Sequence, residues 1–497
     1  MSNLQLRPYQ ENILNKLRSG FAGGARSQIL YLPTGGGKTE CAISLLQATK
    51  VKGNKAAMLL DRIVLCDQTS KRLEKYSIDH GVMQSGHWRF RPYEHIQVCS
   101  AQTLEKRGSF PGLNLLIVDE CHQTREQTIE FIKNNPDVKV IGLTATPFTK
   151  GLGKVYENVV STITTKDLVE QKVLVPLRVF IAKEINMDGA KKVAGEWSQA
   201  EASKRGMQIT GDVVAEWIKM THEIFGRPRK TIVFCSGVDH GNDLSRKFAE
   251  SGYNFVAISY RDDDEFKKDV IAEFAKPDTE IHGLIATDIL TKGFDVPDVM
   301  IGVSARPFSK SLSSHIQQMG RVMRSNQDDP DGKTFALWLD HSDNYLRFRE
   351  EWEEVYENGV HELDDGKEKP KKEPTEKEKK EAKCPKCDAY MPKYMDTCAH
   401  CGYVREKRSL VQDVPGEMSE LQTMSRENKQ AWWSGLQWYV HAMGKSPGWA
   451  AHTYKDKFGV WPRNLSDAPV TPPDEVVKFV EKKKRAYIRM MKKGMKP

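Results

Sequence analysis

No apolar run in this chain approaches the roughly 18 residues that cross a bilayer. The opening segment, Met1 to Gln10, has no apolar stretch of the kind that directs secretion. Cysteines number nine, an odd count in 497 residues, which argues against a secreted disulfide scaffold. An excess of one charge is also missing. The 75 Lys and Arg against 67 Asp and Glu leave +8, so a polyanion would have to be met by local patches. These absences predict a soluble protein of the cell interior, cytoplasmic, with no membrane partner. Five cysteines (Cys41, Cys66, Cys99, Cys121, Cys235) lie in or beside apolar segments and are expected to be buried small hydrophobes. The length exceeds what one core supports and predicts three or four domains.

Against that background one string stands out: Leu30-Tyr-Leu-Pro-Thr-Gly-Gly-Gly-Lys38-Thr39. An apolar run, Ser27 to Leu32, delivers the backbone into three glycines, and a helix is expected from Lys38 onward. Glycines let successive backbone N–H groups curl around an anion with no Cβ in the way. The helix N-terminus adds partial positive charge. Lys38 is placed to reach β- and γ-phosphates, and Thr39 to ligate Mg²⁺. Thr34, Gly35, Gly36 and Gly37 would form the cradle. The string departs from the strict G-x-x-x-x-G-K-[ST] pattern, and a tight strand-to-helix connection is the plain alternative.

A second string answers it. Asn114-Leu-Leu-Ile-Val-Asp119-Glu120-Cys-His122 is an apolar strand ending in two carboxylates. Strands of a parallel sheet covered on both faces read as unbroken apolar runs, and their ligands sit at the carboxyl ends. Asp119 therefore emerges where Mg²⁺ would be, and Glu120 is placed to orient or deprotonate a water facing the γ-phosphate. The pair of strings in this order predicts nucleotide hydrolysis.

With these residues in view the chain resembles a superfamily 2 helicase or translocase, and the family's motifs follow in order over residues 6 to 324. Leu6-Arg7-Pro8-Tyr9-Gln10 resembles the adenine-reading motif, with Gln10 on the base edge and Arg7 near it. Val98-Cys-Ser-Ala-Gln102-Thr103 resembles a strand-contacting motif, and Thr144-Ala-Thr-Pro147 the motif that couples nucleotide to track. Ala286-Thr287-Asp288 with Gly293-Phe-Asp295 resembles the fifth motif. Gln317-Gln-Met-Gly320-Arg321-Val-Met-Arg324 resembles the sixth, which carries arginine fingers. The resemblance implies nucleotide contact by Asp295, nucleic acid contacts by Gln102, Thr103 and Thr287, and catalysis by Lys38, Asp119, Glu120, Arg321 and Arg324. The segment around Asp61 matches its counterpart only loosely. A guanidinium supplied from the opposite lobe neutralises charge developing on the γ-phosphate, so hydrolysis depends on cleft closure.

Apolar strands alternating with helical segments indicate βαβ units and parallel sheets. Strands are expected near 27–33, 56–61, 96–101, 114–119 and 138–144, and again near 230–235, 254–259, 281–287, 299–304 and 334–340. The expected fold class is α/β: two tandem RecA-like lobes (1–180 and 229–366) around a linker with a core-packing helix (181–228). Residues 367–383 hold eight lysines and five glutamates with no large apolar residue and read as a solvated tether. Beyond it, Cys384-Pro-Lys-Cys387 and Cys398-Ala-His-Cys401 bracket ten residues. Two C-x-x-C turns aim four thiolates at one point, which suits structural Zn²⁺ in a ribbon over 384–405. Residues 406–497 read as a small helical domain. It holds five of the ten tryptophans (Trp432, Trp433, Trp438, Trp449, Trp461) and, from Glu475, nine basic residues against two acidic. Most of those rings are expected in a core; outward ones would suit base stacking.

The sequence therefore predicts an ATP-, Mg²⁺- and Zn²⁺-binding DNA helicase or translocase of DNA repair or restriction-like type, acting on single-stranded, forked or branched DNA. RNA is the less favoured track, and protein partners could bind the C-terminal region. The alternatives are a duplex translocase or junction remodeller without strand separation, an RNA helicase, and a nucleic-acid-binding adaptor with an inactive ATPase core. The joint presence of Lys38, Asp119, Glu120, Arg321 and Arg324 counts against the last.

Overall fold

A computed structural model describes residues 4–103, 112–181, 192–193, 196–197, 210–287, 296–308, 310–326, 332–366, 419–420, 426–458 and 460–492. The zinc-type cysteines Cys384, Cys387, Cys398 and Cys401, the charged tether and Asp288 to Asp295 lie outside the described residues, as does most of the 183–210 linker. The chain divides into two compact units. One comprises Met1–Asn344 and Val355–Ser419, the other Tyr345–Glu354 and Glu420–Pro497.

The first unit opens with helix α1 (Pro8–Ala22), whose first turn is closed by Arg7 N–H donating to Gln10 Oε1 at 2.8 Å. Seven parallel strands follow: β1 (Ser27–Tyr31), β2 (Ala56–Leu60), β3 (Gly81–Met83), β4 (Ile96–Ser100), β5 (Leu115–Asp119), β6 (Lys139–Thr144) and β7 (Asn158–Val160). Their order across the sheet is β3-β4-β2-β5-β6-β1-β7. Every residue of β1, β2 and β4 is buried, as helices on both faces of a parallel sheet require. Helices α2 (Lys38–Val51) and α3 (Ile63–Lys75) follow β1 and β2. Strands β1 and β5 flank β6 and run parallel to it, which brings the glycine loop and the Asp119-Glu120 pair to the same end of the sheet.

A second parallel sheet begins earlier than the sequence pattern suggests. Strand β8 (Leu177–Ile181), across the boundary expected at residue 180, pairs with the last strand of the second sheet, Leu177 opposite Ala336 and Ile181 opposite Asp340. Pro176 and the short strand leave no periodic signal, so only the pairing reveals it. Helix α4 (Thr210–Phe225) then leads to β9 (Thr231–Cys235), α5 (Val238–Glu250), β10 (Phe255–Ile258), β11 (Gly283–Ala286), β12 (Ile301–Ala305), α6 (Leu312–Val322) and β13 (Ala336–Asp340). The strands adjoin in the order β10-β11-β9-β12-β13-β8. Trp217 of α4 is fully buried, its indole N–H donating to Thr231 Oγ1 at 2.8 Å, and it packs edge-on against Phe248 and Phe255. The helical apolar repeat of this segment is core, as expected. The five cysteines Cys41, Cys66, Cys99, Cys121 and Cys235 are all buried and free, and burial pushes the Cys41 and Cys66 thiols up to about 12.

In the second unit, helices α7 (Arg426–Met443), α8 (Pro447–Phe458) and α9 (Asp474–Lys492) share a core containing Trp432, Trp433, Leu436, Tyr454, Phe458 and Val476. Lys429 and Arg463 pair with Glu353 and Glu350, each at 2.8 Å. Two of the five C-terminal tryptophans are thus core, while Trp438, Trp449 and Trp461 are half-buried. None of the described helices is long and apolar enough to cross a membrane.

Candidate active site

The phosphate loop runs from β1 into α2. Gly37 has φ +82°, and a β-carbon there would lie 2.2 Å from Gln10 Nε2, so conformation and space both demand glycine. That close approach exists because Gln10, buried in the first turn of α1, donates to Gly36 O (3.2 Å) and Gly37 O (3.4 Å). Tyr9 O–H also donates to Gly36 O at 3.0 Å. The adenine-type motif therefore braces the loop from behind. Lys38 Nζ donates to Leu32 O at 3.2 Å, folding over the loop it follows.

Strand β5 ends at Asp119, and Glu120 takes a left-handed conformation (φ 47°, ψ 50°). A bulky residue holds that geometry only where its surroundings enforce it, and such strain collects at functional sites. The enforcing contacts run toward β6. Glu120 Oε2 lies 3.3 Å from His122 Nδ1, which is 2.9 Å from Thr144 Oγ1. Thr144 Oγ1 accepts from Thr146 N–H at 2.9 Å, and Thr149 O–H donates to His122 O at 2.6 Å. One continuous chain of polar contacts thus joins the carboxylate pair to the Thr144-Ala-Thr-Pro147 segment.

From the second sheet, α6 contributes the other wall. A cavity of about 720 Å³ is lined by Arg7, Gln10, Thr34, Gly35, Gly37, Lys38, Thr39, Asp119 and Glu120 from one side and by Gln317, Arg321 and Arg324 from the other. Leu174 pairs with Arg324 in an isolated bridge, and Val175 N–H donates to Met323 O at 2.7 Å. The segment between the sheets thus holds the end of α6. Charge in the cavity is mixed. Burial drives the pKa of Lys38 down, Glu120 and Asp119 pull it back up, and Arg321 and Arg324 push it down again. A site lined by six cations (Arg7, Lys38, Lys71, Arg72, Arg321, Arg324) and three carboxylates (Glu40, Asp119, Glu120) is arranged for a ligand with several negative charges.

Every sequence-assigned nucleotide residue except Gly36 and Asp295 lines this cavity. Gly36 sits behind it as the acceptor for Tyr9 and Gln10, and Asp295 lies outside the described residues. The three assigned nucleic acid contacts lie elsewhere. Gln102 is exposed and Thr103 buried just past β4. Thr287 borders a separate hollow of about 220 Å³ at the carboxyl ends of β9, β10 and β11. Sequence reasoning missed Glu40, Gln68, Thr69 and Arg72, which line the cavity from α2 and α3. Glu40 Oε1 accepts from Arg72 Nη1 at 2.5 Å, a pairing 32 residues apart that no motif announces. Gln317 lay inside a quoted motif without being assigned a role.

Among the described residues no group of three or more His, Cys, Asp or Glu is arranged to hold a metal ion on its own. Mg²⁺ that arrives with a nucleotide needs fewer protein ligands, and Thr39 and Asp119, both on the cavity wall, are of the right type.

Comparison with known proteins agrees with this geometry. The family "Type III restriction enzyme, res subunit" matches residues 3–149, and "Helicase conserved C-terminal domain" matches residues 216–326. The chain is 25% identical over 351 residues to IRC3 of Saccharomyces cerevisiae, described as a candidate ATP-dependent helicase, covering 64% of this chain and 49% of that protein. It is 22% identical over 374 residues to the DNA 3′-5′ translocase XPB2 of Sulfurisphaera tokodaii, covering 66% of this chain and 80% of that protein. Thus the chain spans about half of the yeast relative's length. A fragment structure described as a candidate HsdR subunit of a type I restriction enzyme from Vibrio vulnificus superposes with TM-score 0.56 at 20% identity, covering 73% of this chain and 70% of that one. Fold, site and matched families define an enzyme, a nucleic-acid-dependent ATPase of helicase type. The chain is similar to superfamily 2 helicases, a type of motor that uses ATP with Mg²⁺.

Proposed function

We propose that this chain is an ATP-driven motor that moves along DNA and separates its strands. The observation that carries the reading is the placement of Arg321, on the second sheet's helix, and Arg324, just past its end, in the same cavity as Lys38, Asp119 and Glu120 from the first. Lys38 and the backbone of Gly35 to Gly37 would bind the phosphates, and Thr39 and Asp119 would hold Mg²⁺, which when bound neutralises phosphate charge. Glu120 would orient the attacking water and the two arginines would stabilise the charge that develops on the transferred group. Because the site is split between two sheets, hydrolysis is tied to their closing and opening, which is what converts turnover into steps.

DNA is favoured over RNA because XPB2 is named as a DNA translocase and the matched family is a restriction subunit. The same name favours a second reading, translocation on duplex without strand separation. Cys384, Cys387, Cys398 and Cys401 would hold one structural Zn²⁺. The deciding experiment compares ATPase stimulation by single-stranded DNA, duplex, forked DNA and RNA, with strand separation measured on the fork. Stimulation by RNA alone would reject the DNA assignment, and stimulation without separation would leave the duplex translocase.

A further inference from the structure

Among the described residues large apolar side chains exposed to solvent are few, and three of them fall within six residues of the segment joining β3 to β4. Trp88 is 73% exposed, Phe90 49% and Tyr93 72%. They belong to the string His87-Trp-Arg-Phe-Arg-Pro-Tyr93. Over residues 88 to 91 the positions alternate, Trp88 and Phe90 being exposed and Arg89 and Arg91 half-buried.

This is a built element, not a loose loop. Val82 N–H donates to Arg89 O at 2.9 Å, so the segment runs back along the sheet edge. Gln97 Nε2 donates to Arg91 O and to Glu94 O, both at 2.9 Å. Two side-chain ties reach α3: His87 Nε2 lies 3.2 Å from Asp67 Oδ1, and Arg89 pairs with Glu74. Arg89 also places its guanidinium 4.7 Å from the Trp88 ring centroid. Holding two large rings in water with this many fixed contacts makes sense where a flat partner is to be met.

We propose that Trp88 and Tyr93 form a stacking platform for the bases of single-stranded nucleic acid, an inference that rests on the motor reading above. A π-face accepts any base, so such a platform grips a strand without reading its sequence. The basic residues beside it suit the phosphates of the same strand. Arg91 has no ion pair among the described residues, and Lys71 and Lys75 are exposed on α3. A protein partner would be served as well by the rings but would gain less from Arg91 beside them. The platform is also tied to the nucleotide site. The helix that Asp67 and Glu74 anchor it to carries Gln68, Thr69, Lys71 and Arg72 into the cavity wall.

The test uses the full chain with Trp88→Ala and Tyr93→Ala combined, and separately Arg91→Gln. Binding of a fluorescent oligo(dT) and of a blunt duplex is followed by anisotropy across a salt series. The double variant should bind oligo(dT) about tenfold or more weakly, with the duplex unchanged within twofold. Its salt slope, unstimulated ATPase and melting temperature should match the wild type. Arg91→Gln should instead lower the salt slope by about 0.7, one phosphate contact on a single strand. Oligo(dT) affinity within twofold of wild type in the double variant would overturn the platform while leaving the motor reading intact. Equal loss on single strand and duplex would also overturn it, as would a lowered melting temperature. Wild-type protein that binds neither probe would overturn the motor reading itself.

Discussion

Gly320 of α6 lies so close to Thr34 of the phosphate loop that a β-carbon on it would stand 2.4 Å from Thr34 Cβ and 2.7 Å from Cγ2. The contact spans the two sheets and sits one residue before Arg321. Thr34 Oγ1, buried there, has no hydrogen-bond partner among the described residues, and the contact with Gly320 is one of packing. Gly320→Ala should therefore wedge the second sheet's helix away from the loop. We expect kcat to fall about 10²-fold or more, since small misplacements of catalytic groups have costs of that order, with nucleotide affinity changed far less. Thr34→Gly in the same chain should restore part of the loss. Additive losses in the double variant would mean that the two residues do not limit closure together.

The two walls of the cavity should give separable phenotypes. Lys38→Ala removes the cation assigned to the phosphates and should abolish nucleotide binding and turnover together. Glu120→Gln should retain ATP binding and stall hydrolysis, because its role is on the water. Arg321→Ala or Arg324→Ala should slow hydrolysis by about 10³-fold or more, as for other arginine fingers, while leaving most of the ATP affinity to the first sheet's residues. Steady-state ATPase beside equilibrium binding of a fluorescent nucleotide distinguishes these outcomes, and an arginine variant with intact kcat would mark that arginine as structural.

Lys333 offers a pH test. It is 6% exposed and donates to Val322 O at 2.6 Å, Pro297 O at 3.2 Å and Val299 O. The end of α6 is thereby tied to the strand entry of β12. Burial pushes its pKa down to about 7, with Asp298 opposing and Arg324 assisting. In the unfolded chain the lysine keeps its proton to about 10.4. Between those values the unfolded state binds more protons, so stability rises with pH from about 7 upward and is flat below it. Melting temperature measured from pH 6 to 9 should show that rise, and Lys333→Met should remove it. A wild-type curve that falls over pH 7 to 9 would contradict the assignment.

Much of this site was legible because its chemistry restricts residue type. Only glycine fits where Gln10 presses on position 37, and only a strand that ends in acid puts Asp119 and Glu120 at the sheet edge. What stayed hidden depends on distances across the chain. Nothing near Leu177 shows that β8 will pair with Ala336 to Asp340 and join the second sheet. The Thr34–Gly320 contact joins residues far apart in sequence, and a lysine such as Lys333 reads as exposed until three carbonyls are found around it. Likewise Trp88 and Tyr93 look like core residues by type, and only their surroundings show that they face water.

The four C-terminal cysteines should bring one zinc per chain, since two C-x-x-C turns supply a complete tetrahedral set and leave no open position for catalysis. Elemental analysis of protein purified in reductant without chelator should return that ratio. Cys384→Ser or Cys401→Ser should lose the metal while ATPase survives, because Lys38, Asp119 and Glu120 lie in the matched residues 3–149 and Arg321 and Arg324 in 216–326, both before the cysteines. Metal-free protein from such a preparation would reject the ribbon.

Helix α9 is rich in basic residues, and its side chains at Lys478 and Lys484 are exposed. A solvated tail and a phosphate-binding helix differ in how their loss changes salt dependence. Each phosphate contact releases counterions and contributes about 0.7 to 0.9 to the slope of log K against log salt. Combining Lys478→Gln with Lys484→Gln should therefore lower the slope by roughly 1.4 to 1.8 if both residues touch phosphates. Affinity at low salt should drop with it and converge on the wild type at high salt. Because both side chains point into water, the fold should be undisturbed and the melting temperature unchanged. An unaltered slope would show that α9 is a solvated helix and that phosphate binding is carried elsewhere.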